Sequence, residues 1–483
     1  MVEQGSWRWG PLAAVCLAQL LLMLDVTIVI VALPAIATDL SGDLQSIQLI
    51  VDAYALTLAA LLLNTGALAD RFGRRRVFLA GLVTFGAASA LCGAASGATF
   101  LVIARALQGV GGAMLFATGL AILGAAYHGA DRAKALGAFG AVFGGAVALG
   151  PLVGGAIVEV ADWRWIFLVN LPVVALAIVI AHRHVPETRS PRTRRVDWVG
   201  QITFTIGIGS LVAVLIDGGD WGWTSARNLA LAMTAVLALT AFAVSQGRGA
   251  EPMFDLALLR NRSFVGSAIT AFATSASLFG MFVYLILYFQ KVEGIDGLHA
   301  GARLLPVTIV AFVAAAGAGR LSAAISPRLV LTAALSCSAC GLLQMTRLES
   351  GSSWTVALPG LVLCGLGFGL ANPTVAAVTL AVAPPDQAAT ATGMNSTFRQ
   401  VGVATGVAAM GAIFDHALRA PVGTGARAAQ AESVAYTDAL HRVFLAGSAI
   451  AALGAILAAV LVRAAPLVAL PESSPQPDIA AAA

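Results

Sequence analysis

Apolar residues in this chain come in long blocks rather than in alternation or in stripes. Runs of about twenty residues, nearly free of charge, recur from Pro11 to Arg463 with short polar stretches between them. A half-buried strand would alternate with period two, and a soluble amphipathic helix would carry one apolar face. Runs that are apolar all round at this length predict helices that cross a bilayer. The pattern places fourteen of them, at residues 11–33, 47–66, 77–96, 99–122, 135–158, 165–183, 197–216, 228–246, 263–288, 301–323, 328–346, 354–376, 388–413 and 441–463. Two Pro- and Arg-containing stretches, 185–195 and 247–262, read as linkers. They divide the chain into a six-helix bundle (1–184), a two-helix insert with its linkers (185–262), a second six-helix bundle (263–465) and a tail (466–483). The tail's Pro- and Ala-rich composition predicts disorder. The expected fold is an all-α integral membrane protein; a barrel would show short alternating segments instead. The stretch Asp415–Leu440 is longer than the neighbouring connections and is expected to form a cap or hairpin outside the membrane.

Composition agrees. The chain is 59% apolar and 11% charged over 483 residues, against roughly 45–50% and 25% for soluble domains. The net charge of +4 does not point to nucleic acid, because the placement of the basic residues explains it. With both termini inside, the cytoplasmic connections receive more than twice as many Lys and Arg as the outer ones, including Arg71, Arg74, Arg75, Arg76 and the cluster Arg189–Arg195. All eight tryptophans fall at span ends, as an interfacial aromatic belt requires. These features predict a multi-pass protein of the inner (cytoplasmic) membrane with both termini cytoplasmic. The first apolar run is too long for a cleavable signal peptide. The five cysteines lie inside apolar runs, so neither a disulfide framework nor a metal site is expected. The histidines sit at span ends or in loops, and none is chosen as a proton carrier.

Arg399 lies within a span of the second bundle, and three charges lie within spans of the first: Asp25, Asp52 and Arg105. At 1.5 Å per residue they fall at about 13, 8 and 9 Å from the outer ends of their helices, in one layer of the first bundle. Charges at such depth are expensive and mark function by default. Buried acids must pair or protonate, so a carboxylate exchanging between arginine, proton and substrate is one reading. A static ion pair is another. Arg105 could instead snorkel to the outer interface, and Asp52 could be a vestibule residue. Asn64, Asn372 and Asn395 could line a cavity or bond neighbouring helices.

Gly66-Ala67-Leu68-Ala69-Asp70-Arg71-Phe72-Gly73-Arg74-Arg75-Arg76 resembles the major facilitator signature between the second and third spans. Here Gly66 and Gly73 permit close approach and a tight turn, and Asp70 can pair with arginine or accept from a helix N-terminus. Leu101–Ala113, with Arg105, Gln108 and Gly109, resembles the fourth-span motif of the same superfamily. Gly140, Gly144, Gly145, Gly150-Pro151 and Gly154-Gly155 form a ladder that resembles its antiporter motif. A fainter copy of the loop signature, Gly319–Arg328, follows the second span of the second bundle, as parallel repeats would predict. Leu24–Pro34 resembles the first-span motif of the fourteen-span drug:proton antiporters (EmrB/QacA-like), with Ile30 where Asn is usual. Gln48–Tyr54 carries Leu49 where that family has Trp. Trp163–Pro172 and Arg399–Gly402 match it as well.

The resemblance implies a major facilitator fold and export by alternating access. It implies proton coupling through Asp25, Asp52 and Arg105, and a conformational latch at Gly66, Asp70, Arg71, Gly73, Arg74 and Arg75. It further implies a substrate cavity drawing on Asp25, Asp52, Tyr54, Gln108, Asn372, Asn395 and Arg399. The expected partners are protons, lipid and amphipathic, cationic drugs or antibiotics, handled by a functional monomer. No GxxxxGK[ST] motif is present, so no nucleotide or other cofactor is expected. No enzyme activity is expected. A dedicated exporter of one antibiotic would share these motifs; a non-transporting sensor would have no need of the charged residues within the spans.

Overall fold

The computed structural model describes residues 8–40, 44–127, 129–189, 197–249, 252–383, 388–418 and 426–463. Among them there are α-helices, one short 3-10 turn at Trp354–Val356 and no strand. Backbone polar groups have no water to bond in a hydrocarbon layer, so helices that satisfy their own backbone are the expected outcome of such a sequence.

The first group of helices comprises α1 (Gly10–Asp39), α2 (Leu44–Phe72), α3 (Arg74–Gly93), α4 (Ala98–Ala126), α5 (Gly129–Val160), α6 (Trp165–Leu168) and α7 (Asn170–His184). The insert is α8 (Trp198–Trp221) and α9 (Ala226–Arg248), followed by the single turn α10 (Leu256–Leu259). The second group is α11 (Arg262–Lys291), α12 (Gly297–Ala302), α13 (Leu305–Ala324), α14 (Pro327–Met345), α15 (Leu358–Val382), α16 (Ala388–Leu418) and α17 (Ala426–Leu461). In the first group α4 packs on α2 and α3, and α1 on α5 and α7. In the second, α11 packs on α16 and α17, and α15 on α13 and α14. The groups meet along α2 and α16, α5 and α12, and α1 and α11.

Thirteen helical spans among the described residues are long and apolar enough to cross a membrane. Within α5 the apolar part counted is the shorter Leu149–Val160. Most helices run past the expected limits by a turn or so. Two expected spans are broken near their starts. The 165–183 span divides at Val169 and the 301–323 span at Arg303 and Leu304. Pro172 and Pro306 explain the positions: each falls in the first turn of a new helix, where its missing N–H would have had no partner anyway.

The expected long connection at 415–440 is different in the structure. Helix α16 continues to Leu418 and α17 begins at Ala426, so only 419–425, outside the described residues, separates them. At 36 residues, α17 is about 54 Å long, against about 30 Å of hydrocarbon, so it projects well beyond the apolar layer. The Ala-rich stretch that begins at Ala426 favours helix, which the loop-length argument overlooked. The tail 466–483 also lies outside the described residues, as does most of the 185–195 linker.

The insert sits on the seam between the groups. Helix α8 packs on both α2 and α16, while α9 packs on α8. Asn64 Nδ2 of α2 donates to Gln201 Oε1 of α8 at 2.5 Å, so Asn64 is an interhelical bond rather than a cavity residue. Leu229, Met233, Val236 and Leu237 of α9 point outward, as lipid-facing residues of a peripheral helix would. We expect single cysteines placed along α8 and α9 to be labelled by thiol reagents at the same rate with and without substrate. Substrate protection at several of these positions would place the insert on the translocation path.

Candidate functional site

The buried polar centre is assembled from polar side chains of four helices, α1, α3, α4 and α7, with a backbone carbonyl from α2. On α4, Arg105 and Gln108 are three residues apart and share a face. Arg105 Nη1 donates to Asp25 Oδ2 of α1 at 2.5 Å and to Gln108 Oε1 at 2.5 Å. Gln108 Nε2 donates to Asp25 Oδ1 at 2.8 Å and to Ser89 Oγ of α3 at 3.0 Å. Asn170 Nδ2 reaches Asp25 Oδ1 at 3.3 Å. Asn170 begins α7, so the break that Pro172 imposes is what aims its amide inward. Arg105 Nε donates to the Ile50 carbonyl at 3.2 Å. Its guanidinium lies 4.4 Å from the Tyr54 ring centroid and 5.8 Å from that of Phe167, within cation–π range. Glycines allow the approach: a Cβ on Gly109 would meet the Tyr54 carbonyl at 2.7 Å.

Asp25 and Arg105 are each 1% exposed. Arg105 therefore does not snorkel; it is an interior charge neutralised by one carboxylate. Removing one member of such a pair costs about 3–5 kcal/mol, because the other is left charged and desolvated. Asp52 is also fully buried, but it is not joined to this pair. Neither of its carboxylate oxygens has a hydrogen-bond partner, so it is not an exposed vestibule residue. One turn before it, Gln48 Nε2 donates to Tyr284 Oη of α11 at 3.1 Å, which places this stretch of α2 against the second group.

Beside the charged pair is a cavity between the two groups of helices. Tyr54, Arg105, Phe279, Phe368, Arg399 and Gln400 supply its aromatic and polar walls, and small and apolar residues of α1, α2 and α16 the rest. Its volume is about 30 Å³, room for water but far below the several hundred Å³ of a drug site. Of the residues expected on a cavity, the structure places Tyr54 and Arg399 on this wall, with Arg105 beside them. Asp25 and Gln108 stand behind Arg105. Asn372 bonds its own helix at the Phe368 carbonyl, 3.1 Å away. Asn395 bonds Ser267 at 3.3 Å and also Thr379, tying α16 to α11 and α15.

The Asp70 loop is a second polar cluster. Asp70 Oδ1 accepts from Arg74 Nη2 at 3.0 Å and from Arg74 Nε at 3.2 Å. Gly73 turns the chain at φ 110°, in the left-handed region, and its position faces the Glu187 carboxylate so closely that a Cβ would collide with it. Arg75 donates to the His182 carbonyl at 2.6 Å, the Arg75 N–H to Glu187 Oε1 at 3.2 Å, and the Arg74 N–H to the Thr188 carbonyl at 3.0 Å. The loop is thus stapled to the segment leaving α7. Arg71 lies over the Phe72 ring at 5.4 Å. Nothing stands within 4 Å of a Cβ built on Gly66. We expect Asp70→Asn to slow maximal transport about ten-fold with little change in substrate affinity. A large affinity loss at unchanged maximal rate would assign Asp70 to substrate binding instead.

The glycines of α5 serve two neighbours. A Cβ on Gly150 would collide with Thr27, and one on Gly154 would stand 3.0 Å from the Ile28 Cα, so both press α5 against α1. Gly155 faces the backbone of Gly297 and Leu298, and the Pro151 carbonyl faces Gly301, so this end of α5 lies directly on α12 of the other group. Gly140 has open space around it, and Gly144 is placed on α5 by the backbone.

Two parallel-looking groups of helices meeting at a seam, with an interior ion pair beside a central cavity, describe a transporter architecture. A family model described as Major Facilitator Superfamily matches residues 15–407. The chain belongs to the major facilitator superfamily. Puromycin resistance protein pur8 of Streptomyces alboniger is 36% identical over 84% of this chain and 82% of its own length. Multidrug transporter protein MdtP of Bacillus subtilis is 32% identical over 81% of this chain and 72% of its own. The tetracenomycin C resistance and export protein of Streptomyces glaucescens is 31% identical over 84% and 76%. Among solved structures, the human organic anion transporter MFSD10 (TETRAN) matches with TM-score 0.65 at 16% identity, over 94% of this chain and 100% of that one. A bacterial homologue of the lysosomal transporter Spinster, inward-facing and unoccupied, matches with TM-score 0.62 at 17% identity, over 96% and 98%. These likenesses are of fold alone. This major facilitator is a multi-pass transporter of the cell membrane, not an enzyme.

Sequence reasoning about this major facilitator missed Ser89 and the inward amide of Asn170. Ser89 reads as one small residue in an apolar helix, with no signal to single it out. Asn170 did carry one, since it stands two residues before a proline near the start of a span. Asp39 was also missed: it accepts from the Trp163 indole at 3.0 Å and pairs with Arg164 at 3.0 Å, fastening α1 to α6.

Proposed function

We propose that the protein is a proton-coupled antiporter that exports amphipathic drug- or antibiotic-class molecules from the cytoplasm by alternating access. The observation carrying this is the position of Arg105. It both holds Asp25 and forms part of the cavity wall, so an occupant of the cavity and a proton on Asp25 act on the same guanidinium. A proton entering from outside would neutralise Asp25, break the ion pair and leave Arg105 to be compensated elsewhere, which biases the two-state seam. Substrate leaving outward and the proton leaving inward would reset it. Residues of α5 at the seam and the Asp70 cluster would act as the moving contacts. A fourteen-span arrangement with both termini and the Asp70 loop in the cytoplasm accords with the basic-residue bias.

The relatives named for resistance to many drugs or to single antibiotics support export and favour two breadths of substrate. A dedicated exporter of one antibiotic is the second reading, favoured by pur8 and the tetracenomycin C protein. Efflux from cells expressing the protein, measured with a panel of dyes and antibiotics with and without a protonophore, tests both. Proton-coupled export is expected to collapse with the protonophore. Efflux unaffected by it would overturn the coupling, and one exported compound out of the panel would select the dedicated exporter.

A further inference from the structure

The insert carries a polar anchor that the transport reading does not use. Asp197 begins α8, and its Oδ1 accepts from the Gly200 N–H at 2.8 Å, satisfying a helix donor that would otherwise have no partner. Its Oδ2 accepts from Gln246 Nε2, near the end of α9, at 2.7 Å. Gln246 Oε1 in turn accepts from the Phe254 N–H at 2.8 Å. Gly200 makes room for this, since a Cβ there would collide with the Asp197 carboxylate and the Gln246 amide. Phe204 of α8, Phe242 of α9 and Phe254 pack together with ring centroids between 5.1 and 5.8 Å apart. The start of α8, the end of α9 and the stretch before α10 are therefore one unit.

This unit holds both groups of helices at one end of their seam. Toward the first group, Asn64 of α2 donates to Gln201 Oε1 at 2.5 Å, and both side chains are buried. Toward the second, the Phe254 ring meets Phe398 of α16 edge to face at 5.9 Å. Beside these anchors α2 touches α16 directly: a Cβ on Gly393 would collide with the Leu63 side chain. Asn64 lies six residues before Asp70, so this is the end of the seam that bears the Asp70 loop. We infer that the insert is a strap across the α2–α16 seam that holds its Asp70 end closed. It is fixed to α16 through Phe254 and released from α2 at the Asn64–Gln201 bond. The chemistry of the two anchors decides which one lets go. Parting the rings would expose apolar surface with nothing to replace the contact. Asn64 and Gln201 share one neutral hydrogen bond, which water entering an opened seam can replace and which can then be remade. The inference goes beyond the export reading and takes from it only that the two groups move against each other.

The test is hydrogen–deuterium exchange of the full chain in lipid nanodiscs, comparing the wild type with Asn64→Leu and with Gln201→Leu. The two variants remove the same bond from different helices, so either one that folds is sufficient. Amides at the Asp70 end, in 66–72 of α2 and the first turns of α16, should exchange about three-fold faster than in the wild type. Amides at the opposite end, near Gln48 of α2 and Gly411 of α16, should exchange about three-fold slower, because a seam biased open at one end spends less time open at the other. A bond that only stabilises the fold would not move the far end in the opposite sense. Faster exchange at the Asp70 end without slowing at the other, unchanged exchange, or a change confined to α8 and α9 would overturn the inference. Exchange reports opening whether or not a substrate is carried. The expected opposite shifts together with no efflux by the wild type would therefore remove the export reading and support the strap.

Discussion

Asp25→Asn is expected to abolish uphill efflux, lowering it by at least about 100-fold, while the protein still inserts and folds. Asparagine keeps one acceptor oxygen, either for Arg105 or for the Gln108 and Asn170 amides, and turns its NH2 toward the other donors, so the contact survives in shape but not in all its hydrogen bonds. It cannot exchange a proton, and it leaves Arg105 without a counter-charge. The cost to stability should approach the ~3–5 kcal/mol of removing one member of the pair, because Arg105 stays charged and one acceptor oxygen is lost. The measurement is drug accumulation against an imposed pH gradient in proteoliposomes, paired with thermal unfolding of the purified variant. Downhill exchange of substrate without a gradient should remain measurable, which separates loss of coupling from loss of the pathway. Uphill transport at wild-type rates would remove Asp25 from the coupling step.

Gly155→Val should reduce transport at least about ten-fold through packing alone. A side chain there would collide with the backbone of Gly297 and Leu298. A backbone cannot swing aside as a flexible side chain can, so α5 and α12 would have to separate and the seam between the halves would change its balance. Gly145→Val is the matched control, since nothing stands within 4 Å of a Cβ at Gly145 on the same helix. It should transport within about two-fold of wild type, by the same packing argument. Similar losses in both variants would show that α5 is sensitive to bulk in general and that the α12 contact has no special role. A wild-type rate in Gly155→Val would show that this contact is absent from the transport cycle.

The helical, membrane-crossing character of the chain was legible in the sequence because hydrocarbon imposes it locally. A run of apolar residues long enough to span must be a helix whatever its neighbours do. Depth was legible for the same reason, since rise per residue is constant, and it put Asp25 and Arg105 in one layer before any contact was known. The third charge in that layer shows where the argument stops. Asp52 shares the depth of the pair but faces the α2 contact with the second group, and depth along a helix says nothing about rotation around it. Apolar-all-round helices hide their inward face, so Ser89 could not be separated from packing residues until α3, α4 and α7 met around Asp25. The cavity wall is likewise a tertiary fact. Arg105 and Arg399 lie far apart in the chain, and only the packing of the two groups of helices brings both to one wall. Only the assembled structure decided that Asp25 is satisfied by Arg105, Gln108 and Asn170 of its own bundle, because hydrogen-bond geometry, not composition, determines which charges pair.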